Sequence, residues 1–156
     1  MRARQSRNFK SKARQRGFTL LEVGLALVVA MLVIAAAAMA FTTQRDRAEV
    51  KSAVDGVNAL YSGAANWAMS RPSSYTGVSC AVLVAQGALP PVLGNCTATN
   101  PWGGNYTVSV NASNSAHVDI TLTNVPNGPG AQLVDKLTPI VATAPTFNAG
   151  TFTVTF

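Results

Sequence analysis

Between Phe18 and Phe41 the chain runs for 24 residues with a single charged side chain, Glu22. At ~1.5 Å per residue, a helix of that length crosses a hydrocarbon core of ~30 Å. A carboxylate at the fifth position of such a run costs roughly 2.5–3.5 kcal/mol near a bilayer centre. The expectation is that Glu22 has a partner and a function; the bland alternative is a side chain that snorkels to the membrane surface.

Charge is distributed to match. The whole chain carries 12 basic and 6 acidic residues, a formal net charge of +6. Seven of the basic residues, Arg2, Arg4, Arg7, Lys10, Lys12, Arg14 and Arg16, precede the apolar run. Residues 18–156 keep five basic side chains against six acidic ones, which gives no electrostatic case for nucleic-acid binding by the body. The basic segment reads as a positive-inside signal that holds this end in the cytoplasm, and residues 1–17 read as a leader that is removed. The remainder is rich in Ala, Val, Thr, Asn and Gly and poor in charge, as suits a subunit surrounded by copies of itself.

The segment Gly17-Phe18-Thr19-Leu20-Leu21-Glu22-Val23 resembles the processing site of type IV pilins and their relatives in type II secretion. The resemblance implies cleavage between Gly17 and Phe18 by a prepilin peptidase, which then N-methylates Phe18. It also implies that Glu22 sets subunit register in a fibre. An unperturbed α-amine has a pKa of about 7.7–8.0, and methylation leaves it basic. A neighbouring subunit's amine placed near Glu22 would neutralise it at one axial offset, fixing register more than adding stability. Glycine at position 17 suits a protease that must approach an extended backbone closely. Gly24 is either a point of close helix approach or a tolerated glycine.

Beyond Phe41 the pattern becomes amphipathic. Val50, Val54, Val57, Tyr61, Ala64 and Ala68 recur at spacings of three and four, the apolar stripe of a helix with one wet face. Arg45, Asp46, Arg47, Glu49, Lys51 and Asp55 supply polar surface, and neither Asp46 nor Glu49 is spaced from Lys51 to form a helical pair. Gly56 and Gly63 weaken the helix by about 1 kcal/mol each, so bending is expected there. Arg71-Pro72 ends it. One helix from Phe18 to about Ser70 is therefore expected, apolar all round in 18–41 and one-faced in 42–71. The resemblance implies an α+β pilin fold, in which that helix serves membrane and fibre core and then packs on a small antiparallel sheet within a head of residues 72–156.

Within the head, Ser73–Gly77 reads as a loop and Cys80–Gly87 as a short helix stopped by Gly87, with a strand as the alternative. Pro90, Pro91 and Gly94 force an irregular return to Cys96. Asn100-Pro101-Trp102-Gly103-Gly104 is a turn, and Tyr106–Val110 with His117–Leu122 forms a hairpin. Gly130–Leu137 has room for a short helix ended by Pro139, and Thr151–Phe156 is a final strand with Phe152, Val154 and Phe156 on one face. Asn100–Tyr106 and Ile120–Pro126 resemble segments of type IVb pilins, the subclass of bundle-forming, toxin-coregulated and conjugative thin pili, and the chain as a whole resembles the PilS or thin-pilus type. That subclass brackets a carboxy-terminal region with its disulfide, whereas no cysteine follows Cys96 here.

Cys80 and Cys96 are 16 apart and, in an oxidising compartment, can close a disulfide worth ~3 kcal/mol; buried thiols are the alternative. His117 is the single histidine and no acidic cluster adjoins either cysteine, so no metal site or cofactor is expected. Trp67 reads as core and Trp102 as packing or a binding surface. No paired carboxylates, nucleophile–base arrangement or phosphate loop indicates an enzyme.

The expected function is a structural subunit. It waits in the inner membrane with its amino terminus cytoplasmic, engages an assembly platform, and polymerises with its copies into an extracellular fibre for adhesion, aggregation or conjugative contact. Two alternatives stand beside it: a type II secretion pseudopilin, and a secreted binding domain released by signal peptidase at the small residues ending near Ala40.

Overall fold

The computed structural model describes residues 18–71 and 74–156. The leader, Gly17, Pro72 and Ser73 lie outside these. The chain divides into two compact units at the Ala40/Phe41 boundary, and each is taken by itself.

In the first unit, helix α1 (Leu20–Met69) begins. Every side chain from Phe18 to Ala40 is exposed, including Leu20, Leu25, Met31, Leu32 and Ile34. This is the one helix among the described residues long and apolar enough to cross a membrane.

In the second unit α1 continues, followed by α2 (Cys80–Ala85), a 3₁₀ turn at Pro91–Leu93, β1 (Tyr106–Val110), β2 (Val118–Leu122), α3 (Asn127–Leu137), β3 (Thr143–Asn148) and β4 (Thr151–Thr155). The strands form one antiparallel sheet in the order β1-β2-β4-β3. Tyr106 pairs with Leu122, and Leu122 with Phe152, so inward-facing residues align across three strands. They join α1 and α3 in one core that contains Val50, Val57, Leu60, Ile120, Leu122, Leu133, Leu137, Phe152 and Val154.

The buried stripe of α1 is Val50, Ala53, Val57, Leu60, Ala64 and Trp67, with Ala68 beside it. Val54 and Tyr61, expected within the stripe, are its partly buried flanks. Tyr61 instead stacks on Phe156, with ring centroids 4.3 Å apart. Gly56 and Gly63 do not break the helix. They are buried contact points: a methyl group on Gly56 would stand 2.5 Å from the Tyr106 hydroxyl, and one on Gly63 3.0 Å from the Ala88 carbonyl oxygen. The helix therefore gives up propensity in exchange for close approach. Its end is closed by Arg71, which donates to the Trp67 carbonyl at 3.2 Å and lies over the Trp67 ring at 3.8 Å.

Cys80 and Cys96 are joined by a disulfide, with Cα atoms 6.3 Å apart. It links the start of α2 to the segment leading into β1. Gly87, at φ 64°, follows α2 in the left-handed conformation that stops a helix.

Two elements differ from expectation. Helix α3 starts at Asn127, three residues earlier than read, because Pro129 falls in its first turn, where a missing N–H costs little. Strand β3 has no counterpart in the sequence reading. Its alternation is interrupted by Pro145, which sits where the β3–β4 register shifts on an edge strand, a place that tolerates proline.

Burial raises the Tyr106 phenol to about 12. Because the folded value exceeds the unfolded value of ~10, its contribution is complete below pH 10 and is lost as pH rises through about 12. Stability of the wild type should fall over that window by on the order of 1–3 kcal/mol more than that of Tyr106→Phe, measured by denaturant midpoints. Equal slopes for the two proteins would contradict this.

Candidate functional site

The site begins at the helix start. The Thr19 carbonyl accepts from the Glu22 and Val23 N–H groups at 3.0 and 3.1 Å, and the Thr19 hydroxyl also accepts from Glu22 N–H at 3.2 Å. Thr19 is thus the amino-terminal cap of α1, and Glu22 stands three residues on, the T-x-x-E spacing of a capping box. A carboxylate in the first turn is also favoured by the helix dipole. Thr19 was not singled out from sequence, although this spacing marks it. Phe18 and Glu22 are both exposed, and a side chain on Gly24 would meet open space among the described residues. Gly17 lies outside the described residues, so the Gly17–Phe18 junction has no geometry to report.

A second polar construction holds α1 to the turn before β1. The Glu49 carboxylate accepts from Arg45 Nε at 2.7 Å and from Trp102 Nε1 at 2.8 Å. Glu49 is therefore not simply wet surface, and Trp102 is packed, not free. Arg45–Glu49 and Lys51–Asp55 are helical pairs at i,i+4, a spacing the sequence itself carries. The turn itself is organised by Asn100, 5% exposed. Its Oδ1 accepts from the N–H groups of Gly104 (2.7 Å) and Trp102 (3.0 Å), and its Nδ2 donates to the Thr123 carbonyl at 2.6 Å. Gly104 packs so closely on that carbonyl that a side chain there would overlap it.

His117 Nδ1 lies 2.8 Å from the Phe156 carbonyl oxygen and so donates to it, a tie between the strand ends. No group of three or more metal-ligating side chains occurs among the described residues. The features that converge are a capped apolar helix carrying one carboxylate, and a disulfide-linked head in which the same helix packs with a four-stranded antiparallel sheet. This is the type IV pilin fold.

The prokaryotic N-terminal methylation motif matches residues 12–38, and the family described as PilS N terminal matches residues 45–156. The chain belongs to the PilS family of type IV pilins. No curated protein and no solved structure matches it significantly. It is a pilin subunit of a structural family and not of an enzyme family. Its methylation motif and apolar helix fit a membrane-anchored pilin that prepilin peptidase processes and that polymerises.

Proposed function

We propose that this chain is the repeating subunit of an extracellular type IV pilus used for adhesion, aggregation or conjugative contact. Residues 1–17 are the leader, cut between Gly17 and Phe18, and Phe18 is then N-methylated. Residues 18–41 hold the subunit in the inner membrane, with its amino terminus in the cytoplasm, until an assembly platform draws it into the fibre. There the same segment exchanges lipid for the apolar helices of other copies, which accounts for its exposure among the described residues. Glu22 receives the methylated amine of a neighbour and selects the register. Residues 42–71 and 72–156 are the docked half-helix and the head, and the Cys80–Cys96 bond suits an oxidising exterior.

The observation that carries this reading is the junction, on one chain, of the methylation motif at 12–38 with the pilin family match at 45–156. The experiment is to shear cells and collect what sediments as fibre. This chain as the repeating polypeptide supports the proposal; the chain recovered only as a soluble monomer contradicts it.

A further inference from the structure

Residues 18–156 contain five cations, and three of them line one cleft. Arg47 and Lys51, one turn apart on α1, face Gln132 and Lys136, one turn apart on α3, over Val54; the cleft measures about 450 Å³. No lining residue is acidic. The other two cations are engaged elsewhere, Arg45 with Glu49 and Arg71 over Trp67. Lys51 also touches Asp55 at 2.9 Å, but both side chains are largely exposed, and such a pair yields readily to a stronger anion. Residues 85 positions apart in sequence thus meet in one cleft whose charge suits an anion, with Gln132 as a neutral donor.

Position along the chain identifies the anion. Arg47 and Lys51 follow Phe41, the last residue of the apolar run, by six and ten residues. Basic residues that close to the end of a membrane segment are drawn to anionic headgroups, and their long side chains reach back toward them. We propose that the Arg47–Lys51–Lys136 cleft binds the phosphate of an acidic phospholipid headgroup while the subunit waits in the membrane. This rests on the reading of 18–41 as membrane-spanning. Phosphate attracts all three cations at once, whereas a zwitterionic headgroup brings its own cation and gains less. Each cation near an anionic surface contributes about 1 kcal/mol, roughly fivefold in affinity.

The test uses the full mature chain in nanodiscs of phosphatidylcholine alone or mixed with phosphatidylglycerol, at one chain per disc, read by amide NMR shifts of Gln132 and Lys136 and by lipid retention in native mass spectrometry. Phosphatidylglycerol should shift both amides and be retained at least tenfold over phosphatidylcholine. The triple variant Arg47→Gln/Lys51→Gln/Lys136→Gln should lose both effects, while Arg45→Gln, a cation lost outside the cleft, should keep them. Inorganic phosphate without phosphatidylglycerol should leave the amides in place; saturation by it would make the ligand a free anion and overturn the headgroup assignment. Equal behaviour of wild type and triple variant overturns the cleft. So do amide shifts that depend on several chains per disc and not on phosphatidylglycerol, which would assign it to an acidic side chain of a second copy. A chain that enters neither kind of disc overturns the membrane reading, and the lipid site falls with it. A chain that enters both without lipid preference overturns the site alone.

Discussion

Asn100→Ala should destabilise the head by about 3–4 kcal/mol, a large fraction of the 5–15 kcal/mol typical of a domain. The substitution removes three hydrogen bonds at once and strands the buried Gly104 N–H and the Thr123 carbonyl. Each orphaned buried group costs roughly 1–3 kcal/mol, and the close seating of Gly104 on Thr123 leaves little room for water to replace the lost amide. The turn also presents Trp102 to Glu49, so loosening it releases a tie to α1. Asn100→Asp retains the acceptor, loses the donor to Thr123, and should fall between. Urea midpoints of the detergent-solubilised chain, disulfide intact, measure this; a loss below 1 kcal/mol for Asn100→Ala would show that Asn100 does not hold the turn.

Glu22→Ala should leave cleavage largely intact and reduce fibres by at least tenfold, the effect of about 1.4 kcal/mol per assembly step. The larger figure of 3–5 kcal/mol applies when one member of a buried ion pair is removed and its partner stays charged. In the single chain Glu22 is exposed and its main-chain N–H is capped by Thr19, so losing the carboxylate costs the helix start only the dipole contribution, about 0.3–1 kcal/mol. The defect should therefore appear in assembly and not in folding: processed subunit accumulates in the membrane while sheared fibre disappears. Glu22→Gln, which keeps the shape without the charge, should behave like the alanine variant. Normal fibres from either would return Glu22 to an incidental side chain at the membrane surface.

The amino-terminal pattern was legible because it is local: a basic run, a Gly-Phe junction, a carboxylate at fixed spacing and unbroken apolar helix all lie within 41 residues. Strands β1, β2 and β4 were legible because one face is buried and alternation survives. The phase of the α1 stripe was not. Val54 and Tyr61 fit helical spacing as well as Ala53 and Leu60 do, and the choice rests on which side approaches the sheet most closely, where Ala and Gly outrank larger residues. Gly56 and Gly63 read as weak points for the same reason, since Tyr106, Ala88 and Leu89 come to them from distant sequence. Strand β3 was hidden by Pro145, a breaker in local terms and acceptable at a register shift on an edge. Glu49–Trp102 and the cationic cleft join residues 53 and 85 positions apart, and no periodicity within one segment reports such meetings.

Prepilin processing is decided by the intact mass and amino-terminal sequence of the protein sheared from cells. The expected chain starts at N-methyl-Phe18 and retains Glu22 and the whole of α1. A chain starting near Phe41 would contradict the pilus proposal and leave a secreted domain without its apolar segment.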